Sequence, residues 1–236
     1  MNMFYIGIDD TDTLETRGTG RLARMLAAHL EPLLAPLGAQ FVGVTRHQLL
    51  RDPRVPCTKN NSSATLHWQA VGDVPLESVA AQAAAYLRQE FVPGSDPGLC
   101  VAAVVPAEIS QFGQRVQREL VPQADARALA RRHGITLLGL GGTEDGVIGA
   151  LASVGLAAMG SDGRYTHVGG NRTLDGAVTV EAILAAGIVA VLELDGTPVI
   201  SGLIWTDGRV RPARRNGQPI LYVARREDGW QPLKLD

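Results

Sequence analysis

The stretch "IGIDDTDTLETRGTG" (6–20) sets Asp9, Asp10 and Asp12 within four positions, directly after a short apolar run. Like charges that close together repel. A hard cation such as Mg²⁺, which takes oxygen ligands and keeps waters that bridge to substrate phosphates, relieves that repulsion. The same acids also serve as turn formers, or as negative charge at a helix N-terminus. Next, in "RGTG" (17–20), Gly18 and Gly20 let backbone approach a ligand and leave N–H groups facing an anion. Thr19 has three possible roles by type: helix N-cap, phosphate ligand or nucleophile. Thr is a common N-cap, so the cap is the expected role.

A second loop, "RDPRVPCTKNNSS" (51–63), supplies the opposite charge. Arg51, Arg54 and Lys59 stand beside the hydrogen-bonding run Asn60, Asn61, Ser62 and Ser63, a mixture that suits polyphosphate or a solvated surface loop. Lys59 is one of two lysines against 20 arginines; lysine meets phosphate as a compact point charge, arginine as a planar fork. In "GGTEDGVIGALASVG" (141–155), Gly146 and Gly149 fall at an expected helix start, where they either hold a phosphate or permit close packing. The spacing matches neither GxxxxGK[ST] nor a Rossmann fingerprint. An aspartyl-phosphatase DxDx[TV] pattern fails because Leu14 stands where Thr or Val belongs.

The elements that must carry these residues read as follows. "MFYIGI" (3–8) is a buried strand ending at the acids. "RLARMLAAHLEPLL" has a helical period through Leu22, Met25, Leu26, Leu30 and Leu33. Residues 39–50 and 64–70 read as strands, 76–91 as a helix and 99–105 as a buried strand, with helices across 107–120 and 124–133. "PGSDPG" (93–98) reads as a linker. Residues 135–155 read as strand, glycine-rich turn and helix. Six Asp-Gly pairs from Asp145 onward mark tight turns, residues 189–205 read as a hairpin, and the last 30 residues as short strands. The pattern is mixed α/β.

Composition narrows the function classes. A formal net charge of −2 gives no general attraction to nucleic acid or anionic membranes. The two cysteines, Cys57 and Cys100, have neither disulfide-framework nor zinc-site spacing. The longest apolar stretch, "ILAAGIVAVL" (183–192), falls short of the ~20 residues that span a bilayer, so a cytoplasmic protein without a membrane partner is expected.

"GIDDTD" with a Thr seven residues after the last Asp, then "DPRVPCTKNNSSA", then "DGVIGALASVG", resemble in type and order the archaeal tRNA agmatinylcytidine synthetases. That resemblance implies a kinase-like ATP-binding part over 1–62 and a ferredoxin-like part over 63–134. Residues 135–236 would supply the glycine-rich helix that completes the site and a β-hairpin region. It implies ATP and Mg²⁺ as cofactors, with Asp9, Asp10, Asp12 and Thr19 in catalytic positions and the three acids as metal ligands. Thr11, Gly18, Gly20, Lys59, Asn60, Asn61, Ser62, Gly146 and Gly149 would surround the nucleotide. The chain departs from the family where Gly18-Thr19-Gly20 replaces Cys-Thr-Thr, and where residues 58–63 replace Lys-Thr-Arg-Gly-Asn-Gly. With the family's OB-fold and zinc-ribbon modules expected to be absent, the implied protein is a stand-alone relative. Its acceptor would be an unknown small molecule or nucleoside, with tRNA disfavoured. Three readings remain open: an ATP-dependent phosphotransferase or ligase-like enzyme, a nucleotide-binding module without turnover, and an RNA-interaction protein using Arg209, Arg211, Arg214, Arg215, Arg225 and Arg226. The oligomeric state is open too.

Overall fold

The computed structural model describes residues 1–11, 18–55, 57, 60–90 and 92–235. Contacts divide the chain into two compact units, 1–159 and 160–236. Both combine strands and helices, so the fold is mixed α/β with mostly antiparallel pairing.

In the first unit, strands β1 (Asn2–Asp9), β2 (Ala39–Gln48), β3 (Ser62–Ala70), β4 (Gly98–Ala102) and β5 (Thr136–Gly139) pair in the order β5-β4-β1-β3-β2. Every pairing is antiparallel. Residues on both sides of position 62 therefore share one sheet. Period-two alternation sorts β1 between two cores. Phe4, Ile6 and Ile8 pack with helices α1 (Thr19–Leu34) and α2 (Leu76–Glu90). Tyr5 belongs to the opposite core with α3 (Ala107–Val116), α4 (Gln123–Arg132) and α5 (Gly146–Ala158). On α1, Leu22, Leu26, Leu30 and Leu34 are buried, whereas Leu33, which the sequence pattern places inward, is 47% exposed.

Close approach of α5 explains three glycines at once. A Cβ on Gly7 would strike Ala150 O and Ser153 Oγ, one on Gly98 would strike the backbone of Gly146, and one on Gly146 would strike Asp96 O and Gly98 N. The helix thus lies against β1 and β4 with no side chain between the backbones. Residues 93–98 are not a linker. Ser95 is buried, Gly146 N donates to Asp96 O at 2.9 Å, and Leu140 N donates to Pro97 O at 2.9 Å. These bonds fasten the segment to the approach of α5.

The second unit holds β6 (Arg164–His167), β7 (Gly176–Thr179), α6 (Val180–Ala185), β8 (Ala190–Leu192), β9 (Leu203–Thr206), β10 (Ala213–Arg215), β11 (Gln218–Arg226) and β12 (Gly229–Pro232). Their order is β6-β10-β11-β12-β9-β7, with β8 parallel to β11. Residues 189–205 do not form one hairpin. A tight turn at Asp195-Gly196 folds 193 back on 197, but β9 pairs antiparallel with β7 and parallel with β12. Five of the six Asp-Gly pairs place their glycine at positive φ, as tight turns require; the sixth glycine, Gly146, opens α5.

Candidate functional site

A cleft of about 290 Å³ in the first unit is lined by Asp9, Asp10, Thr19, Asn60, Asn61, Ser62, Gly146 and Gly149. That volume is near the lower bound of small-molecule pockets. The sheet around it is antiparallel, so the carboxyl-end crevice of parallel α/β sheets is not what forms it. Instead, four chain segments meet.

The first is the end of β1. Alternation puts Asp9 on the α5 face, the same side as Gly7, and a Cβ on Gly149 would overlap the Asp9 carboxylate. The bare glycine is what leaves room for that side chain. Asp10 follows at φ 49°, a left-handed conformation that Asp tolerates better than most residues. Thr11 is buried, and its Oγ1 has no hydrogen-bond partner.

The second segment is the start of α1. The N-cap is Gly18, without a side-chain cap, and Thr19 is the first helical residue. The capping role expected for Thr19 is therefore wrong: it lies one position too late, and its side chain lines the cleft instead. Gly18 O accepts from Arg21 N at 2.9 Å, and Gly20 O accepts from Arg24 Nη1 at 2.6 Å.

The third segment is the 51–63 loop, which is tied at its base. Leu49 N donates to Asn61 O at 2.9 Å, and Asn61 Nδ2 donates to Leu50 O at 2.9 Å. Gln48 Nε2 donates to Asn61 O at 2.6 Å. Ser62 Oγ accepts from Arg46 Nε at 2.9 Å and donates to Asn60 O at 3.3 Å. Arg54 forks onto Asp52 through two 2.8 Å bonds; this guanidinium, with a backbone N–H bond, holds the Asp52 carboxyl down to about 2. Lys59 and Asp12 lie outside the described residues.

The fourth segment is the start of α5, with Asp145 as N-cap and Gly146 as first residue. It contributes a wall that sequence reasoning missed. Asp96, Glu119 and Asp145 line the cleft, together with Leu120, Pro122 and Gln123. Asp96 Oδ1 accepts from Thr143 N at 2.5 Å, and Asp145 Oδ1 accepts from Gln123 Nε2 at 3.0 Å. Among the described lining residues, five carboxylates face one guanidinium, that of Arg54. The Asp-Gly pair read as a tight turn was the available signal for Asp145; Asp96 lay in the stretch read as a linker, and nothing local distinguished Glu119.

No group of three or more acidic, His or Cys side chains able to hold a metal occurs among the described residues. Asp9 and Asp10 come together at the cleft, and both offer the hard oxygen donors that Mg²⁺ takes. Cys57 is exposed and lines the same cleft, while burial pushes the Cys100 thiol well up. No described helix is long and apolar enough to cross a membrane.

No protein-family model and no curated protein matches the chain. Solved structures do. A tRNA fluorescent labeling enzyme superposes with a TM-score of 0.54 at 20% identity, over 65% of this chain and 36% of that one. In fold, this chain resembles TiaS. TiaS, a tRNA agmatidine synthetase, superposes in its complex with tRNA and ATP with a TM-score of 0.54 at 21% identity, over 66% of this chain and 36% of that one. Its complex with tRNA, AMPCPP and agmatine gives 0.53 at 18% identity, over 65% and 36%. The chain thus spans about a third of the length of those proteins.

Proposed function

We propose that residues 1–159 form an ATP- and Mg²⁺-dependent unit of the phosphotransferase or ligase-like class, acting on a small molecule or nucleoside. The observation that carries this reading is convergence. The acidic end of β1, the start of α1, the Asn60–Ser62 segment and the start of α5 line one cleft, and solved neighbours of the same fold hold ATP or AMPCPP.

Charge decides the form of the nucleotide. At an effective dielectric of about 20, two like charges about 4 Å apart cost about 4 kcal/mol. Five carboxylates would repel a bare triphosphate, so the divalent cation has to enter with it. Asp9 and Asp10 fit the metal by donor type, the bare Gly149 leaving room for the Asp9 carboxylate, and the family resemblance adds Asp12 to them. Bound there by Asp9 and Asp10, Mg²⁺ would supply positive charge that offsets the phosphates. The chain's own part is positioning. Thr19 presents its hydroxyl as a phosphate ligand or transient acceptor, with Gly18, Gly20 and Thr11 in the adjoining backbone. Lys59, Asn60, Asn61 and Ser62 are assigned to the phosphates, and the first turn of α5, Gly146 to Gly149, adds its N-terminal dipole. Leu120, Pro122 and Glu119 form the wall for the acceptor.

Calorimetric titration tests this. ATP binds in Mg²⁺ and not in excess chelator, and Asp10→Asn loses the Mg²⁺-dependent binding. Equal affinity with and without Mg²⁺ removes the metal assignment and the proposed chemistry with it.

A further inference from the structure

The sheet face that packs on α5 buries a seam of polar side chains. Thr45, His47, Ser63, Thr65 and His67 are each at most 1% exposed, at depths where apolar residues ordinarily lie. We propose that Ser63 is a positioning residue for the metal: its hydroxyl donates to the Asp9 carboxylate and fixes the orientation in which Asp9 takes Mg²⁺. The inference rests on the reading of Asp9 as a metal ligand.

Strand pairing sets Ser63 between two polar neighbours. Across β1 and β3, Tyr5 pairs with His67, Gly7 with Thr65 and Ile8 with Ala64; the next residues outward are Asp9 and Ser63. On the other edge of β3, Ser63 pairs with His47 and Thr65 with Thr45. Alternation keeps Ser63 on the side of Thr65 and His67. The edge-on contact of the His67 ring with Tyr5, centroids 5.4 Å apart, fixes that side as the α5 core. The Asp9 carboxylate lies on the same side, against Gly149.

Part of the seam is satisfied internally. Thr45 Oγ1 lies 2.8 Å from His47 Nε2 and 2.7 Å from His67 Nε2, so one hydroxyl joins two imidazoles. Ser63 Oγ and Thr65 Oγ1, by contrast, have no hydrogen-bond partner among the described residues. A buried hydroxyl without a partner costs free energy. The two differ in what they face. Thr65 faces Gly7, which has no side chain, and Thr45, whose hydroxyl already serves both imidazoles. Ser63 faces His47, whose Nε2 is engaged by Thr45, and stands beside Asp9. A carboxylate has about four acceptor sites, so Asp9 takes a further donor whatever else it holds. A serine hydroxyl turns toward it by side-chain rotation alone. Carboxylates that ligate metals are themselves held by hydrogen bonds, and losing such a bond costs about 10–100-fold in metal affinity or activity.

The test uses the full chain, with ATP in Mg²⁺ as the calorimetric probe and the Tm of the unliganded protein as a second measurement. Removing an unpaired buried hydroxyl should leave the unliganded Tm at or above that of wild type in both Ser63→Ala and Thr65→Val. ATP should bind at least tenfold more weakly to Ser63→Ala, and within twofold of wild type to Thr65→Val. Binding by Ser63→Ala within twofold of wild type overturns the positioning role and leaves the proposed function standing, whereas failure of the wild type to bind ATP with Mg²⁺ overturns both. An unliganded Tm of Ser63→Ala below wild type, or equal weakening in Thr65→Val, also overturns the role, because the hydroxyl then serves the fold rather than Asp9.

Discussion

Replacing Gly149 by alanine separates the placement of Asp9 from the stability of the fold. The added methyl would overlap the Asp9 carboxylate and meet Leu49 Cδ1 at 3.0 Å. Both neighbours are side-chain ends that can move. Overpacking of this kind costs about 1–3 kcal/mol, and alanine returns about 0.5–1 kcal/mol of helix propensity in α5. The net loss is about 0–2.5 kcal/mol, lowering Tm by about 2–4 °C per kcal/mol. Gly146→Ala is the control. Its methyl meets Asp96 O and Gly98 N, backbone atoms that cannot retreat without breaking the bond from Gly146 N to Asp96 O, so the loss is about 3 kcal/mol or more. Urea unfolding measures both variants, and calorimetry with ATP and Mg²⁺ measures the site. Gly149→Ala should stay folded and bind at least tenfold more weakly, because the Asp9 carboxylate has rotated away. Binding within twofold of wild type by folded Gly149→Ala refutes the role assigned to Asp9. A larger stability loss at Gly149 than at Gly146 refutes the packing argument.

Asp10→Gly should raise stability by about 0.5–1 kcal/mol in urea unfolding, because φ 49° carries a Cβ penalty that glycine lacks; metal-dependent ATP binding should disappear in the same variant. Lys59→Ala should weaken nucleotide binding by about 1–3 kcal/mol in calorimetry, the scale of a charge-assisted contact; a loss under twofold places Lys59 in solvent. Thiol titration of the native protein should find Cys57 reactive and Cys100 inert, with Cys57 protected by ATP and Mg²⁺ because it lines the cleft. Asp52 should titrate at about 2, returning toward 3.8 in Arg54→Ala, by carboxyl NMR. Its folded value is depressed, so its small surface contribution to stability is present at neutral pH and lost as pH falls from the ordinary carboxylate range toward 2.

Local pattern carried much of this protein. Alternation in "FYIGID" determined that Ile6 and Ile8 face one core while Asp9 faces the other, because successive strand residues point to opposite sides. The i, i+4 leucines of α1 and the Asp-Gly turns followed from equally local rules, and the two glycines of α5 fell at the expected helix start. Thr19 did not follow from residue type, since capping depends on where the helix begins, and the helix begins one residue earlier than a Thr cap requires. Only the tertiary structure decided which distant segments share a site. Asp96 and Asp145 reach the cleft because Gly98 and Gly146 lack side chains and let β4 and α5 touch. The turn at 168–173 is held against Val210 because one buried asparagine amide bonds a carbonyl 39 positions away. Neither contact has a sequence period. Each comes from backbone groups that lose water on burial and must find partners wherever the folded chain presents them.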